Sequence, residues 1–541
     1  MFFNTKYTKR LLAIIAFVLV SLLLFGLLGK VYYEFNSGAD RKPISLNITE
    51  VSDYNPKIKI DTSDLKGRRL TPILIKNIIR DYVRSWQVKQ LAFKTYDHEL
   101  LSDYYTDSLQ VKLKDQLVNN EKKGISNEFG TLSHNLNFKL FSADGQFIYL
   151  EDNAVPQYNS IYKRDTFVVQ TQSVDSYKVI LLLEDGFWRV RHIQKSNSEL
   201  TQNNEVHAKK INIKPIKGIN YYSQKTPWFK FWENFNVNVV SKDFEKINSL
   251  GLNTIRVFIP YEQFGKGKVH IDKLEKLKLL LDIAHAKKLQ VIVTFFDFYS
   301  NYEVSQYATC LSHVEQIIKE IKNHPAVIQY DIKNEPDLDF KARGNMRVLN
   351  WLNFMSYQIK QLDMSTPITI GWSNIKSAHN LKNKVDCVSF HYYDDPEALK
   401  DQYETLQKET NKPIIIQEFG KHSYNSFWFP FSQSEYSQAK YYKSMQQQFK
   451  NLNITNYLSW TLYDFPEIDT QVFGRLPHKS NPQKNYGCID VNGKLKLSSH
   501  YLTNSESEID VPLFKRLNWF YCFIVIVLIS ITIVWVLKKK L

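Results

Sequence analysis

Two glutamates in this sequence occupy positions where a carboxylate can be mounted for acid–base or nucleophilic work. The first is Glu335, in residues 327–337, VIQYDIKNEPD. Val327, Ile328, Tyr330 and Ile332 are β-branched or aromatic with no helix-period stripe, which predicts a strand. The strand ends at Asn334-Glu335-Pro336, where proline stops sheet pairing and favours an extended Glu335. An acid fixed where a buried strand meets solvent has the rigid mount and partial desolvation that an acid/base group needs. The second is Glu418, in residues 412–420, KPIIIQEFG, an apolar run of the buried parallel type that also ends in an acid. Either acid alone reads equally well as a polar turn after a strand. Two of them at the C-terminal ends of different strands are what a (β/α)8 barrel supplies at its active face.

A barrel requires eight strand–helix units, and they can be counted. Strand-like segments fall at 216–221, 253–259, 290–296, 327–333, 367–372, 387–392, 413–418 and 457–462. Amphipathic helix candidates lie between most of them, at 242–250, 272–288, 306–322, 347–362 and 436–452. The alternative, a doubly wound open sheet, lacks its glycine-rich phosphate loop after the first strand. The predicted strand ends carry Asn220 and Tyr221, Arg256, Asp297, Asn334 and Glu335, Trp372, His391 and Tyr393, Glu418, and Trp460, in that order.

That ordered set resembles the clan of retaining β-glycosidases, and within it the cellulase-like glycoside hydrolase family 5, over residues 212–500. The resemblance implies that Glu335 is the acid/base and Glu418 the nucleophile. It implies that Asn334 holds the sugar 2-hydroxyl, that Arg256 lies beside the nucleophile, that His391 and Tyr393 contact sugar and nucleophile, and that Trp460 is a stacking platform. It also implies no metal and no organic cofactor. Residues 486–496, YGCIDVNGKLK, resemble the family's closing segment. One departure is Phe296, where the family often carries a histidine before the aspartate that follows strand three. A retaining mechanism needs the two carboxyls ~5–5.5 Å apart, one ionised and one protonated. Each further residue has a structural alternative: a buried ion pair for Arg256, a satisfied core histidine for His391, core packing for Trp460.

The rest of the chain, 541 residues in all, has room for two or three domains. Residues 11–29 and 517–537 are uncharged and rich in Leu, Ile, Val and Phe. Each is long enough to span a bilayer, and no A-x-A cleavage site follows the first. Lys6, Lys9 and Arg10 before one and Lys538-Lys539-Lys540 after the other place both termini in the cytoplasm. The expectation is a two-pass membrane protein with its catalytic domain periplasmic or extracellular and the lipid bilayer as partner. Residues 31–70 read as a linker. Residues 71–205 read as helices followed by antiparallel strands, a small α+β domain whose order resembles the nuclear-transport-factor-2-like (NTF2-like) cone. It shows no converging titratable set, so a binding or spacer role is expected, dispensable for bond cleavage by residues 209–505. The barrel domain is expected over 210–505.

The formal charge is +15, from 70 Lys+Arg against 55 Asp+Glu. No zinc-ligand spacing, RNP-like motif or basic stripe accompanies it, so nucleic acid is not expected as a partner. Cys310, Cys387, Cys488 and Cys522 form neither a disulfide framework nor a metal motif. Long aromatic loops at 422–433 and 463–485 would flank the active face, as groove or as lid. The expected function is hydrolysis of O-glycosidic bonds in a β-linked polysaccharide or oligosaccharide, one the cell exports. A transglycosylase using the same carboxylates and a non-catalytic glycan-binding or secretion scaffold are the alternatives.

Overall fold

In a computed structural model of the chain, the structure describes residues 55–200, 213–474, 476–506 and 509–540, together with residue 21. A seven-stranded sheet is followed by a closed eight-stranded barrel.

The sheet comprises β1 (Lys57–Asp61), β2 (Lys66–Gly67), β3 (Ile125–Thr131), β4 (Ser133–Phe141), β5 (Phe147–Lys163), β6 (Thr166–Glu184) and β7 (Phe187–Leu200). β4 to β7 run as an antiparallel meander, β1 and β2 pair β4 in parallel, and β3 pairs β5. The stretch expected as a linker therefore contributes β1 and β2 to the sheet. Helix α1 (Pro72–Thr95) begins where Thr71 accepts from the Leu74 amide and proline sits in the first turn, and it ends at left-handed Tyr96. Its apolar face, with Ile78, Tyr82, Trp86 and Phe93, packs on the sheet beside helix α2 (Asp107–Lys123).

The barrel strands are β8 (Ile216–Asn220), β9 (Thr254–Pro260), β10 (Gln290–Asp297), β11 (Val327–Asn334), β12 (Ile368–Trp372), β13 (Val388–Tyr392), β14 (Ile414–Phe419) and β15 (Asn456–Ser459). Every pairing is parallel, and β15 closes onto β8. β9, β12, β13 and β14 are buried at every position, as expected of strands covered on both faces. Helices α3 (Val237–Ser249), α4 (Ile271–Ala286), α5 (Tyr307–Ile321), α6 (Asn345–Leu362), α7 (Leu399–Glu409) and α8 (Glu435–Asn451) form the outer layer. Between β12 and β13 only two 3-10 turns are present.

The sheet docks directly on the barrel. Tyr158 of β5 joins the barrel core, its ring 5.4 Å from Tyr307 of α5 and 5.0 Å from Phe354 of α6. Buried Glu128 of β3 pairs with Arg347 of α6 at 2.5 Å, and Lys94 of α1 pairs with Glu303 at 2.6 Å.

The two-pass membrane topology is corrected by the structure. Residues 11–29 lie outside the described residues except for residue 21. Among the described residues no helix is long and apolar enough to cross a membrane. The second expected span, residues 517–537, corresponds to helix α9 (Trp519–Lys540). The localisation and the bilayer partnership derived from two spans are therefore withdrawn.

Candidate active site

Eight strand ends converge on a cleft organised around one cation. Arg256 of β9 is fully buried. Its Nη1 donates to Glu418 Oε1 at 2.6 Å and to Asn220 Oδ1 at 3.1 Å. Its Nη2 donates to Asp331 Oδ2 at 2.7 Å and to Asn334 Oδ1 at 2.8 Å, and its Nε donates to Thr294 Oγ1 at 3.1 Å. The guanidinium also lies 4.5 Å from the ring centroid of Phe258. Burial works against its charge, but Asp331 and Glu418 outweigh burial and raise its pKa. A planar fork of five N–H donors suits this position as an ammonium would not.

Glu418, at the end of β14, receives the Tyr393 hydroxyl on Oε2 at 2.7 Å, so both of its oxygens have donors. The Tyr393 ring is partly exposed while its hydroxyl points inward. Desolvation of that hydroxyl and the charge of Glu418 hold the phenol well above its ordinary range. Glu335 follows β11, and His391 Nδ1 lies 2.9 Å from Glu335 Oε1 and 3.4 Å from Glu418 Oε2. One carboxylate oxygen of each glutamate and a ring nitrogen of His391 lie within 4.8 Å of one another. These three residues offer the donor atoms a metal ion would use, although each Glu418 oxygen already has a protein donor.

Glu335 is not extended as its proline neighbour suggests. Its backbone is left-handed, with φ 47° and ψ 52°. Its amide donates to the Gly371 carbonyl at 2.6 Å, which carries β11 past its last regular pair and turns the chain into the 3-10 turn Pro336–Asp339. A non-glycine residue in this region is uncommon and concentrates at functional sites.

Trp460 forms a wall of the cleft and is 8% exposed. Trp228, Phe258 and Tyr222 enclose it, with centroids at 6.2, 6.2 and 6.4 Å. The Trp460–Thr461 peptide bond is cis. The structure thus brings together Arg256, Asn334, Glu335, His391, Tyr393 and Glu418, with Trp460 bordering them. Phe296 packs outward, its ring 4.8 Å from Trp351 in the helix layer, and takes no place in the cleft. Of the two aromatic loops, 422–433 divides: Phe429 is buried, while Phe427 and Trp428 are exposed and touch Trp519 and Phe523 of α9.

Sequence reasoning missed Asp331, Thr294 and Gly371. Asp331 Oδ2 accepts from Thr294 Oγ1 at 2.8 Å as well as from Arg256, and Asp331 Oδ1 accepts the Gly371 amide at 2.9 Å. Its only signal was an acid inside the apolar run VIQYDI.

The model of the glycosyl hydrolases family 2 TIM barrel domain matches residues 282–468. Human β-glucuronidase is 24% identical over 271 residues, covering 45% of this chain and 38% of that protein. Mouse β-glucuronidase is 28% identical over 173 residues, covering 29% and 26%. The chain thus spans less than two-fifths of the length of these relatives. Among solved structures, a family 2 β-galacturonidase from Eisenbergiella tayi aligns with TM-score 0.44 at 18% identity, over 70% of this chain and 71% of its own. The exo-β-1,4-mannosidase Op5Man5 from an Opitutaceae bacterium aligns with TM-score 0.44 at 17% identity, over 53% and 58%. The chain carries a glycosidase barrel, and the family model that matches it is that of family 2, where the sequence had pointed to family 5. Both acids fall inside the matched segment, and a motif that small does not separate two families sharing a barrel.

Proposed function

We propose that the barrel is a retaining β-glycosidase in which Glu418 attacks the anomeric carbon and Glu335 protonates the departing oxygen. The observation that supports this most is the spacing: carboxylate oxygens of Glu335 and Glu418 lie within 4.8 Å, close to the separation a double displacement uses and too short for an inverting water. The division of roles rests on their company. Glu418 receives the Arg256 guanidinium and the Tyr393 hydroxyl, which favour a carboxylate ready to attack. Glu335 sits beside His391, and two carboxyls this close do not readily ionise together, so one arrives protonated.

In the first step the Glu418 oxygen bonds to the anomeric carbon as the Glu335 proton passes to the leaving oxygen. In the second, Glu335 takes a proton from water, which displaces Glu418 with net retention. Asn334, His391, Tyr393 and Trp460 are proposed to hold the sugar. The curated relatives are β-glucuronidases, which makes an aryl β-glucuronide the first substrate to assay, beside glucoside, galactoside and mannoside. A β-linked glycan is the proposed natural substrate.

The decisive experiment separates the two acids. Glu418→Gly should abolish turnover, and azide should restore cleavage of an activated aryl glycoside with a product of inverted configuration. Glu335→Ala should spare the first step on activated substrates, accumulate the covalent intermediate, and lose ~10²–10⁴ in rate on poor leaving groups. An inverted azide product from the Glu335 variant instead would exchange the two roles, and near-wild-type turnover in either would end the proposal.

A further inference from the structure

Directly behind Glu335 lies a buried polar cluster that the chemistry above does not use. Lys333 is fully buried near the end of β11. Its Nζ is 3.5 Å from Asp339 Oδ2, donates to the Asn334 carbonyl at 3.3 Å, and stands 5.9 Å from the Tyr302 ring centroid. Asp339, 3% exposed, also accepts the hydroxyl of Tyr302, itself 1% exposed. Asp339 ends the turn Pro336–Asp339, which begins at the left-handed Glu335. The two sides of the Glu335 turn are therefore tied together: Lys333 before it, Asp339 after it, and Tyr302 from the loop that follows β10.

That loop is held from outside the barrel. Glu303, next to Tyr302, pairs with Lys94 of α1. The Val304 carbonyl lies against Gly130 of β3, so close that a Cβ there would stand 2.6 Å from its oxygen. Arg347, on the helix after the turn, pairs with Glu128 of β3. The contacts reach in unbroken order from the sheet, through residues 302–304, to the backbone that aims Glu335.

A buried charge pair is weak as a source of stability and is better attested as a device that fixes one arrangement. We propose that Lys333, Asp339 and Tyr302 are positioning residues for Glu335, and that the sheet clamps them through the loop after β10. This rests on the reading of Glu335 as the acid/base.

The test uses the full chain and aryl glycosides whose leaving phenols span a wide range of acidity. kcat/KM is measured across that series for Tyr302→Phe, Lys333→Met and Gly130→Ala, with Tm for each. Misplacing an acid slows only departures that need a proton. Tyr302→Phe and Lys333→Met should therefore lose roughly 10–100-fold on the poorest leaving group and less than about threefold on the best, part of the ~10²–10⁴ that acid–base assistance supplies. Gly130→Ala should tilt the series the same way, less steeply. A loss uniform across the series, or none, would overturn the proposal; a merely structural role lowers Tm and leaves the slope alone. Should Lys333→Met not fold, Tyr302→Phe decides, because it removes one hydroxyl. Glu335→Ala on the same series keeps the two ideas apart. A flat response from it defeats the acid/base assignment, whereas a steep one beside a flat Tyr302→Phe defeats only the positioning role.

Discussion

Arg256 commits its donors to two carboxylates and two amide oxygens within the barrel, so the site is preorganised before a sugar arrives. Tyr393 adds a second donor to Glu418 from the open side of the cleft. Tyr393→Phe keeps the ring and its edge contact with Tyr486, 6.0 Å away, and removes only that donor. Preorganised donors at a reacting carboxylate or oxyanion are worth ~10²–10³ in rate. A kcat loss at the lower end of that range with unchanged Tm is expected, read by steady-state kinetics beside thermal melts; unchanged kcat would mean the hydroxyl serves packing alone. Asn334, Glu335, His391, Tyr393, Glu418 and Trp460 could be singled out because each lies at or next to the C-terminal end of a strand, and Arg256 because a charged residue inside an apolar strand needs a partner. Asp331 was not legible. An acid one turn of pleat inside a strand looks like noise until the guanidinium that neutralises it is known to come from a strand 75 positions earlier.

At the scale of elements, the eight strands were legible because burial on both faces leaves continuous apolar runs, and their ends fall within a few residues of expectation. β1 was not, because its Lys–Ile alternation, KIKID, is only five residues long, mostly exposed, and set in a polar stretch that reads as linker. Nor was the missing helix between β12 and β13, since a (β/α) count presumes a regular crossover. β12 is closely packed beside the site. A Cβ on Gly371 would stand 2.8 Å from Gln417 Oε1, 3.0 Å from Arg256 Nη2 and 3.2 Å from Asp331 Oδ2. Gly371 also accepts the Glu335 amide, so a displaced β12 moves both the cation and the acid. Gly371→Ala should lose ~1–3 kcal/mol of stability, the usual cost of overpacking, and more activity than that loss explains. Denaturant melts and kcat/KM on one activated substrate would show it. A variant that loses stability yet keeps full activity would mean that Gln417 yields and Arg256 stays in place.

At the scale of the whole molecule, the sheet is more than the spacer its sequence suggests. Tyr307 and Phe354, stacked with centroids 4.3 Å apart, are 1% and 3% exposed where Tyr158 covers them. A chain cut to residues 209–505 would uncover both, along with Arg347. Since burying one large aromatic contributes ~1.5–3 kcal/mol, such a chain should be less stable by several kcal/mol and prone to aggregate. A truncated chain that melts with the full one would restore the spacer reading. Acid should also act on the chain through its buried histidines. His313 of α5 is fully buried among Tyr261 and Phe296, donates Nδ1–H to the Lys266 carbonyl, and is pushed by desolvation to about 4. Burial, with Lys421 and Lys496, takes His422 to about 3. Both folded values lie below the ordinary 6.5, so their contribution is present above pH 6.5 and is lost as pH falls toward 4. Asp464, raised to about 6 by burial against the pull of Lys496, has the opposite sign: its contribution is present below its unfolded value and is lost as pH rises through 6. Burial also raises Glu128 and Asp243, which share the sign of Asp464, so the histidine contribution is read by substitution. At pH 5 the His313 share is roughly 2 kcal/mol, at ~1.36 kcal/mol per unit below its unfolded pKa. His313→Gln keeps a neutral polar group and removes that titration. Its stability should fall less than wild type between pH 7 and pH 5, followed by urea melts at each pH. Parallel curves would mean that His313 either protonates freely in the folded chain or is not the group that acid attacks.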